Sequence, residues 1–229
     1  MLIKFKNIIN QFFLKFNYRI SKSNNSDELV KIYKYNNYEE YKATQIFYNK
    51  KKINEIWADE FNLKKIADFL KKNIDKKNIK GICHGSRNGF EQNFFNKNIL
   101  NSKVFGTDIS DTAINYKDSI EWDFHKTKKE WIDNFDFVYS NSLDQSYDPK
   151  KALTNWVQQI NKNGYVILEH TDQHNVMAAG KMDPFGVEPQ FFPCLITEWF
   201  GHSVSLKIVK SVKPNKSKAP VWLFIIKKL

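Results

Sequence analysis

One stretch constrains this chain more than any other. Ile79 to Cys83 is a short, mainly apolar run, and His84-Gly85-Ser86-Arg87-Asn88-Gly89 follows it as a glycine-bearing turn. Phe90 to Phe95 then starts a helical pattern, and Lys103 to Ile109 is a second apolar run that meets an acid at Asp108. Strand, glycine loop, helix, strand and carboxylate is the layout of a nucleotide-binding βαβ unit. There the glycines let backbone approach a ligand, and the acid holds ribose hydroxyls. Asp108 lies 19 residues after Gly89, near the spacing of about 20 expected of a ribose acid. The Gly-x-Gly-x-x-Gly fingerprint of nicotinamide enzymes is absent, and Arg87 stands between the two glycines. The plainer reading gives Gly85 and Gly89 only a tight turn and a helix start; the acid at Asp108 favours a site.

Downstream, apolar runs keep alternating with helical patterns. Ser119 to Phe124 reads as a third strand, Phe135 to Ser140 as a fourth and Tyr165 to Glu169 as a fifth. Asp148 and Pro149 open a helix to about Ile160, because Pro suits a first helical turn, and Asn163-Gly164 closes it. Upstream, Asp59 or Asn62 caps a helix whose Phe61, Leu63, Ile66, Ala67, Phe69 and Leu70 form one apolar stripe. Leu29 to Tyr35 reads as a short strand or helix, and Tyr38 to Tyr48 has helical character. Residues 171 to 194 read as a long irregular segment of the kind that covers ligands. Leu195 to Phe200 reads as a helical turn, and Val204 to Val212 and Val221 to Lys227 as two last strands.

This order implies an α/β fold: a Rossmann-like, open, mostly parallel seven-stranded sheet with helices on both faces and an antiparallel last strand. Ligands of such sheets bind outside the carboxyl ends of the strands. His84, Gly85, Ser86, Asp108, Asp123, Ser140, Asn141 and His170 all fall at such ends. Three parts are expected: a basic amphipathic segment over 1–22, a helical or irregular lead-in over 23–54, and the Rossmann-like domain over 55–229.

Composition narrows the function. The chain has 229 residues and a net charge of +11, which alone would allow a nucleic acid, an anionic membrane or an acidic substrate. The basic residues are mostly scattered lysines with no Arg-rich stripe, so no nucleic-acid partner is expected. Two cysteines, Cys83 and Cys194, suit either a reducing compartment, and with it the cytoplasm, or simply structural thiols. Ile8, Ile9, Phe12, Phe13 and Phe16 recur at helical spacing, but intervening Asn, Gln and Lys residues make residues 1–20 too polar for a membrane span. That segment reads either as a surface-lying anchor at the inner membrane face or as a helix packed on the body or a partner.

With these residues in hand, the chain resembles class I S-adenosylmethionine-dependent methyltransferases over about 55–229. The nearer likeness is to a bacterial methyltransferase-like group, carried by Cys83 to Gln92, Gly106 to Ala113, Trp122 to His125, Asp136 to Pro149 and Gly164 to Thr171. The resemblance implies S-adenosylmethionine as cofactor. His84, Gly85, Ser86 and Gly89 would pass its methionine part, with Ser140 and Asn141 beside the sulfonium. Asp108 would hold the ribose, Ile109 would pack on adenine, and Asp123 with Phe124 would lie at the adenine edge. Cys83 and Arg87 depart from the general family pattern; Arg87 would pair the cofactor carboxylate or reach solvent.

A base for the methyl acceptor is sought among Asp144, His170 and His174. Asp144 also suits a turn acid, and the histidines suit structural roles. His170-x-x-x-His174 admits a metal reading with Glu169, Asp172 or Asp144 as third ligand, but the pair leaves a strand for a loop, so no metal is expected. Trp156 and Trp199 would line an acceptor pocket or pack in the core. The expected acceptor is a small molecule or a sugar- or lipid-linked group. Two other classes remain: a nicotinamide-dependent oxidoreductase, and a non-catalytic nucleotide-binding module of the same fold.

Overall fold

The computed structural model describes residues 28–214 and 218–229. The segment 1–22, expected to be amphipathic, and the first residues of the lead-in, through 27, lie outside the described residues. The elements in chain order are β1 (Val30–Ile32), α1 (Tyr38–Lys51), α2 (Glu60–Asn73), β2 (Lys80–His84), α3 (Phe90–Asn98), β3 (Lys103–Asp108) and β4 (Ser119–Glu121). They continue with β5 (Phe135–Ser140), α4 (Pro149–Gln159), β6 (Ile160–Thr171), β7 (Phe185–Val187), α5 (Phe192–Phe200), β8 (Val204–Lys213) and β9 (Ala219–Lys228).

Seven strands form one sheet in the order β4-β3-β2-β5-β6-β9-β8. The first five are parallel; β9 runs antiparallel to β6, and β8 antiparallel to β9. The chain moves outward from β2 to β4 and then crosses back to β5. The point where strand order reverses therefore lies between β2 and β5, the place where such sheets bind ligands.

Alternation along the strands builds two cores. Ile82, Val138, Val166, Leu168 and Phe224 face one side, where Ala152, Leu153 and Trp156 of α4 and Phe192 and Ile196 of α5 cover them. Cys83, Phe137, Tyr139, Ile167 and Ile225 face the other, beneath Leu63, Ile66 and Leu70 of α2 and Phe95 of α3. A strand sandwiched this way reads as a continuous apolar run, and β5 is buried at every position. The helices start where their caps dictate. The Asp59 carboxylate accepts from the Phe61 amide at α2, and Asp148 accepts from the Lys151 amide at α4, with Pro149 in the first turn.

Several boundaries differ from expectation. The third strand stops at Glu121, because Trp122 to His125 turn into a loop held by Asp123. Helix α4 ends at Gln159, and Asn163-Gly164 sits instead in a bulge of β6, with Asn163 at φ 65°. Leu29 to Tyr35 contains a strand, β1, paired antiparallel with β7 inside the segment expected to be irregular. The last helix begins at Phe192 rather than Leu195. Among the described residues no helix is long and apolar enough to cross a membrane.

Candidate active site

The glycine loop is folded back onto β3. The amides of Gly85 and Ser86 both donate to the Thr107 carbonyl, at 2.9 and 3.0 Å. Gly85 has φ 72°, and a Cβ there would lie 2.6 Å from that of Ser142, so only glycine lets the loop after β2 pass the loop after β5. Arg87 holds φ 45° and Gly89, the N-cap of α3, φ 77°. Asp108 fastens the turn: one oxygen accepts from the Arg87 amide and the other from the Ser110 amide, each at 3.0 Å. Burial raises the Asp108 pKa, while these amides pull against that rise.

A cleft follows the loop, and its two ends differ. One end is lined by Asp108, Ile109, Asp123 and Phe124 from the sheet and by Tyr41, Gln45, Tyr48, Asn49 and Lys52 from α1, leaving a cavity of about 30 Å³. Here Asp123 is fully engaged. It accepts from the Tyr38 hydroxyl at 2.8 Å and from the amide and Nδ1 of His125 at 2.9 and 2.7 Å. Burial alone would raise its pKa, but the His125 and Tyr38 bonds outweigh it and hold the carboxyl at about 2. Tyr41 packs edge to face on the His125 ring, Tyr147 lies tilted against it at 4.2 Å, and Tyr38 packs edge to face on Tyr147.

The other end opens into a cavity of about 200 Å³, lined among others by Ser86, Glu91, Asn141, Asp144, His174 and Asp183. Two of its carboxylate oxygens lack partners. Asp144 Oδ1 and Glu91 Oε2 are buried and make no hydrogen bond, and Asp144 Oδ2 lies 3.6 Å from His174 Nε2. Burial pushes both carboxyls up to about 7. Asp183 also rises to about 7, through burial and then through the charge of Asp144. His174 falls to about 3, from burial and then from the Lys213 ammonium, so its ring is neutral at pH 7. Asn141 reaches Glu91 Oε1 at 3.4 Å. Below the cavity Lys213 and Glu169 form a fully buried pair at 2.6 Å, and the Lys213 ammonium donates to the Trp57 carbonyl.

The strand-end residues therefore divide. Gly85, Ser86, Arg87, Asp108, Ile109, Asp123, Phe124, Asn141, Asp144 and His174 line the cleft. His84 does not, contrary to expectation. It shares strand parity with Ile82, stacks on Trp156 at 5.1 Å, and bonds Thr107 Oγ1 and Gln159 Oε1, both at 2.8 Å. Burial lowers its pKa to about 4. His170 likewise shares parity with Leu168 and is buried between Phe192 and Phe224, where Nε2 donates to the Val187 carbonyl. Neither ring is placed to act as a base in the cleft. Ser140 supports the turn, its hydroxyl donating to the His84 carbonyl and accepting from the Ser142 amide. Gly89 caps α3 behind the loop. Arg87 is half-buried at the cleft wall, where its guanidinium donates to the carbonyls of Lys52 and Glu55 and ties the end of α1 to the loop. Trp156 is core, and Trp199 packs against the same cluster. No three His, Cys, Asp or Glu side chains among the described residues could hold a metal ion.

Sequence reasoning missed Tyr38, Tyr41, Gln45, Glu91 and Asp183. A signal existed for three of them. Tyrosines at 38, 41 and 48 are dense for a surface helix, and Glu91 sits in a first helical turn among phenylalanines.

No protein-family model matches the sequence, and no curated protein sequence does. Solved structures do match the fold. The plantazolicin methyltransferase BpumL in complex with SAH shares 12% identity over 83% of this chain and 96% of its own, with a TM-score of 0.62. Burkholderia thailandensis 1,6-didemethyltoxoflavin-N1-methyltransferase, with bound 1,6-didemethyltoxoflavin and S-adenosylhomocysteine, shares 10% over 90% of this chain and 98% of its own, at 0.63. The cyclase SpnF shares 8% over 72% and 80%, at 0.55. The chain thus has the fold of class I methyltransferases, and that fold also hosts a cyclase, so the reaction has to be argued from the cleft.

Proposed function

We propose that this chain is a methyltransferase that transfers a methyl group from S-adenosylmethionine to a small-molecule, sugar- or lipid-linked acceptor. The observation that carries this reading is the glycine loop closed on Asp108 at the switch point of the sheet, facing a cleft with one carboxylate-lined nucleoside end and one roomy acidic end. When bound, S-adenosylmethionine supplies an electrophilic methyl group on a sulfonium. Asp108 has lone pairs left beyond its two amide bonds to accept ribose hydroxyls. Ile109 and Phe124 offer apolar flanks to adenine, and Asp123 an acceptor at its edge. Gly85, Ser86 and Asn141 border the path of the methionine part, while Arg87 and Ser140 hold the surrounding loops.

Two features support the fit and one conditions it. Gly85 leaves bare backbone facing the cleft, and the unpartnered oxygens of Glu91 and Asp144 want hydrogen-bond donors, which a ligand with ammonium and hydroxyl groups brings. The tyrosines of α1 fill the nucleoside end, so an adenosyl group enters by displacing part of α1. Asp144 is the cleft residue best suited to take a proton from the acceptor at Oδ1, since a base works best with a pKa near the working pH. His174 would stay neutral beside it.

Calorimetric titration of S-adenosylmethionine and S-adenosylhomocysteine into wild type and Asp108→Ala tests the reading. Binding in wild type that weakens about 10- to 100-fold in the variant is expected, as for loss of charged hydrogen bonds. No binding of either compound to wild type overturns the proposal and turns attention to nicotinamide cofactors and then to a binding-only module.

A further inference from the structure

The chain carries a net charge of +11, yet its largest cleft cavity gathers carboxyls. Asp144 and Asp183 both line it, together with Glu91. Asp144 is 9% exposed, and its Oδ1 has no hydrogen-bond partner. The Asp183 carboxyl makes no hydrogen bond or ion pair with another described residue. The three cations that act on them make their bonds elsewhere. The Arg87 guanidinium donates to the carbonyls of Lys52 and Glu55, and the Lys52 ammonium lies on Met182 Sδ at 3.0 Å. Lys213 is held by Glu169 and the Trp57 carbonyl, with the Trp57 ring 4.7 Å away. Two mutually repelling carboxyls with no cation bonded to either are costly in a folded protein, even with Lys52, Arg87 and Lys213 near enough to offset part of that cost, and a buried acceptor oxygen without a donor costs about 1–3 kcal/mol. A bound ammonium group removes both costs at once: it offers three N–H donors and a positive charge.

We infer that the Asp144–Asp183 side of the cavity is a subsite for a cationic amine, which makes the methyl acceptor an amine-bearing small molecule. This inference rests on the methyltransferase reading and deepens it. Trp57 at the cavity wall gives the carbon skeleton of such an amine an aromatic surface, and the geometry leaves Glu91 and Asn141, on the glycine-loop side, to the methionine part of the donor. A carboxylate-bearing acceptor of the same size meets like charge here and is rejected.

The test uses benzylamine, benzyl alcohol and benzoate as probes, three compounds of one size that differ in charge. Each is titrated by calorimetry into the full chain, with and without saturating S-adenosylhomocysteine. Benzylamine is expected to bind at least about tenfold more tightly than benzyl alcohol, the ratio expected of one charge-assisted pair, with benzoate not binding. Asp183→Asn should abolish that preference while S-adenosylhomocysteine affinity stays as in wild type and the thermal midpoint does not fall; Asp144→Asn serves as the second variant. Equal binding of amine and alcohol overturns the inference, as does a preference that survives both substitutions. Loss of S-adenosylhomocysteine binding in Asp183→Asn also overturns it, because the acids would then serve the donor. A wild type that binds no S-adenosylhomocysteine defeats the methyltransferase reading instead, and the amine preference of the donor-free protein is read separately.

Discussion

At the Asp123 end of the cleft every carboxylate oxygen has a donor: Tyr38 and His125 for Asp123, Arg87 and Ser110 amides for Asp108. At the Asp144 end, a short way along the same loops, Asp144 Oδ1 and Glu91 Oε2 have none. Both ends are built from acids at the carboxyl edge of one sheet, so composition does not separate them. Partners do. At the engaged end these bonds hold Asp123 at a pKa of about 2. The unengaged end holds its carboxyls near 7, protonated or not as a ligand dictates. A protein tolerates such unpaired groups where a ligand completes them, and active sites are where perturbed carboxyls gather.

The contrast can be broken most severely at its base. Lys213→Met leaves Glu169 buried without its cation and should cost about 3–5 kcal/mol, the usual result of removing one partner of a buried pair. Urea denaturation measures this, and an unchanged midpoint would show that the pair carries nothing.

Asp144→Asn sharpens the comparison. Because folding raises the Asp144 pKa to about 7, the folded chain keeps a proton that the unfolded chain loses near pH 4. Wild-type stability should therefore fall as pH rises from about 4 to 7. The variant lacks this titration and should gain relative to wild type across that window. The gain is of the order of a few kcal/mol, since one pKa unit is about 1.4 kcal/mol. Asp123 acts with the opposite sign: its lowered pKa contributes stability above pH 4 that disappears as pH falls through about 2. Thermal unfolding against pH reads both limbs, and parallel curves for wild type and variant would remove the distinction between the two ends.

A smaller effect is expected from Asp108→Asn. It keeps one acceptor and should loosen donor binding by about tenfold, less than Asp108→Ala, because a charged hydrogen bond exceeds a neutral one by roughly 1 kcal/mol. Equal losses in both variants would mean that charge at Asp108 does not matter. Smallest is Tyr38→Phe. It deletes one donor to Asp123 and should lower stability by about 0.5–1.5 kcal/mol while easing displacement of α1, read as faster donor association in stopped-flow fluorescence. A slower association would contradict the view that α1 stands in the way.

Most of the sheet was legible because apolar runs of five or six residues between turn signals have few alternatives. Asp108 was legible too, since its spacing from Gly89 is set by the length of one βα unit. His84 and His170 were misjudged for a physical reason that the sequence did contain. Each stands two residues beyond a core-facing residue, Ile82 or Leu168, and side chains two apart share a face. Polar character at a strand end suggested a ligand, but parity sends both rings into the layer under α4 and α5. The folding of α1 over the nucleoside end was not legible. It depends on Arg87 and Asn88 capturing carbonyls at 52, 53 and 55, contacts between segments that no local pattern links. Asp183 was hidden in the same way, within a segment whose course is decided by β7.

The pairing of β1 with β7 has a consequence in time. Val30 lies opposite Val187, so a strand near the start of the described chain waits for a partner roughly two-thirds of the chain later. Pairings of such wide sequence separation form late, because the intervening chain must be ordered first. During synthesis, β2 to β5 can assemble while the residues that roof the cleft still lack their anchor. The roof of the cleft thus gains this anchor only after β7 has been made. In the finished protein, the same sparse pairing makes it an early candidate for local opening in hydrogen exchange, ahead of the sheet beneath it.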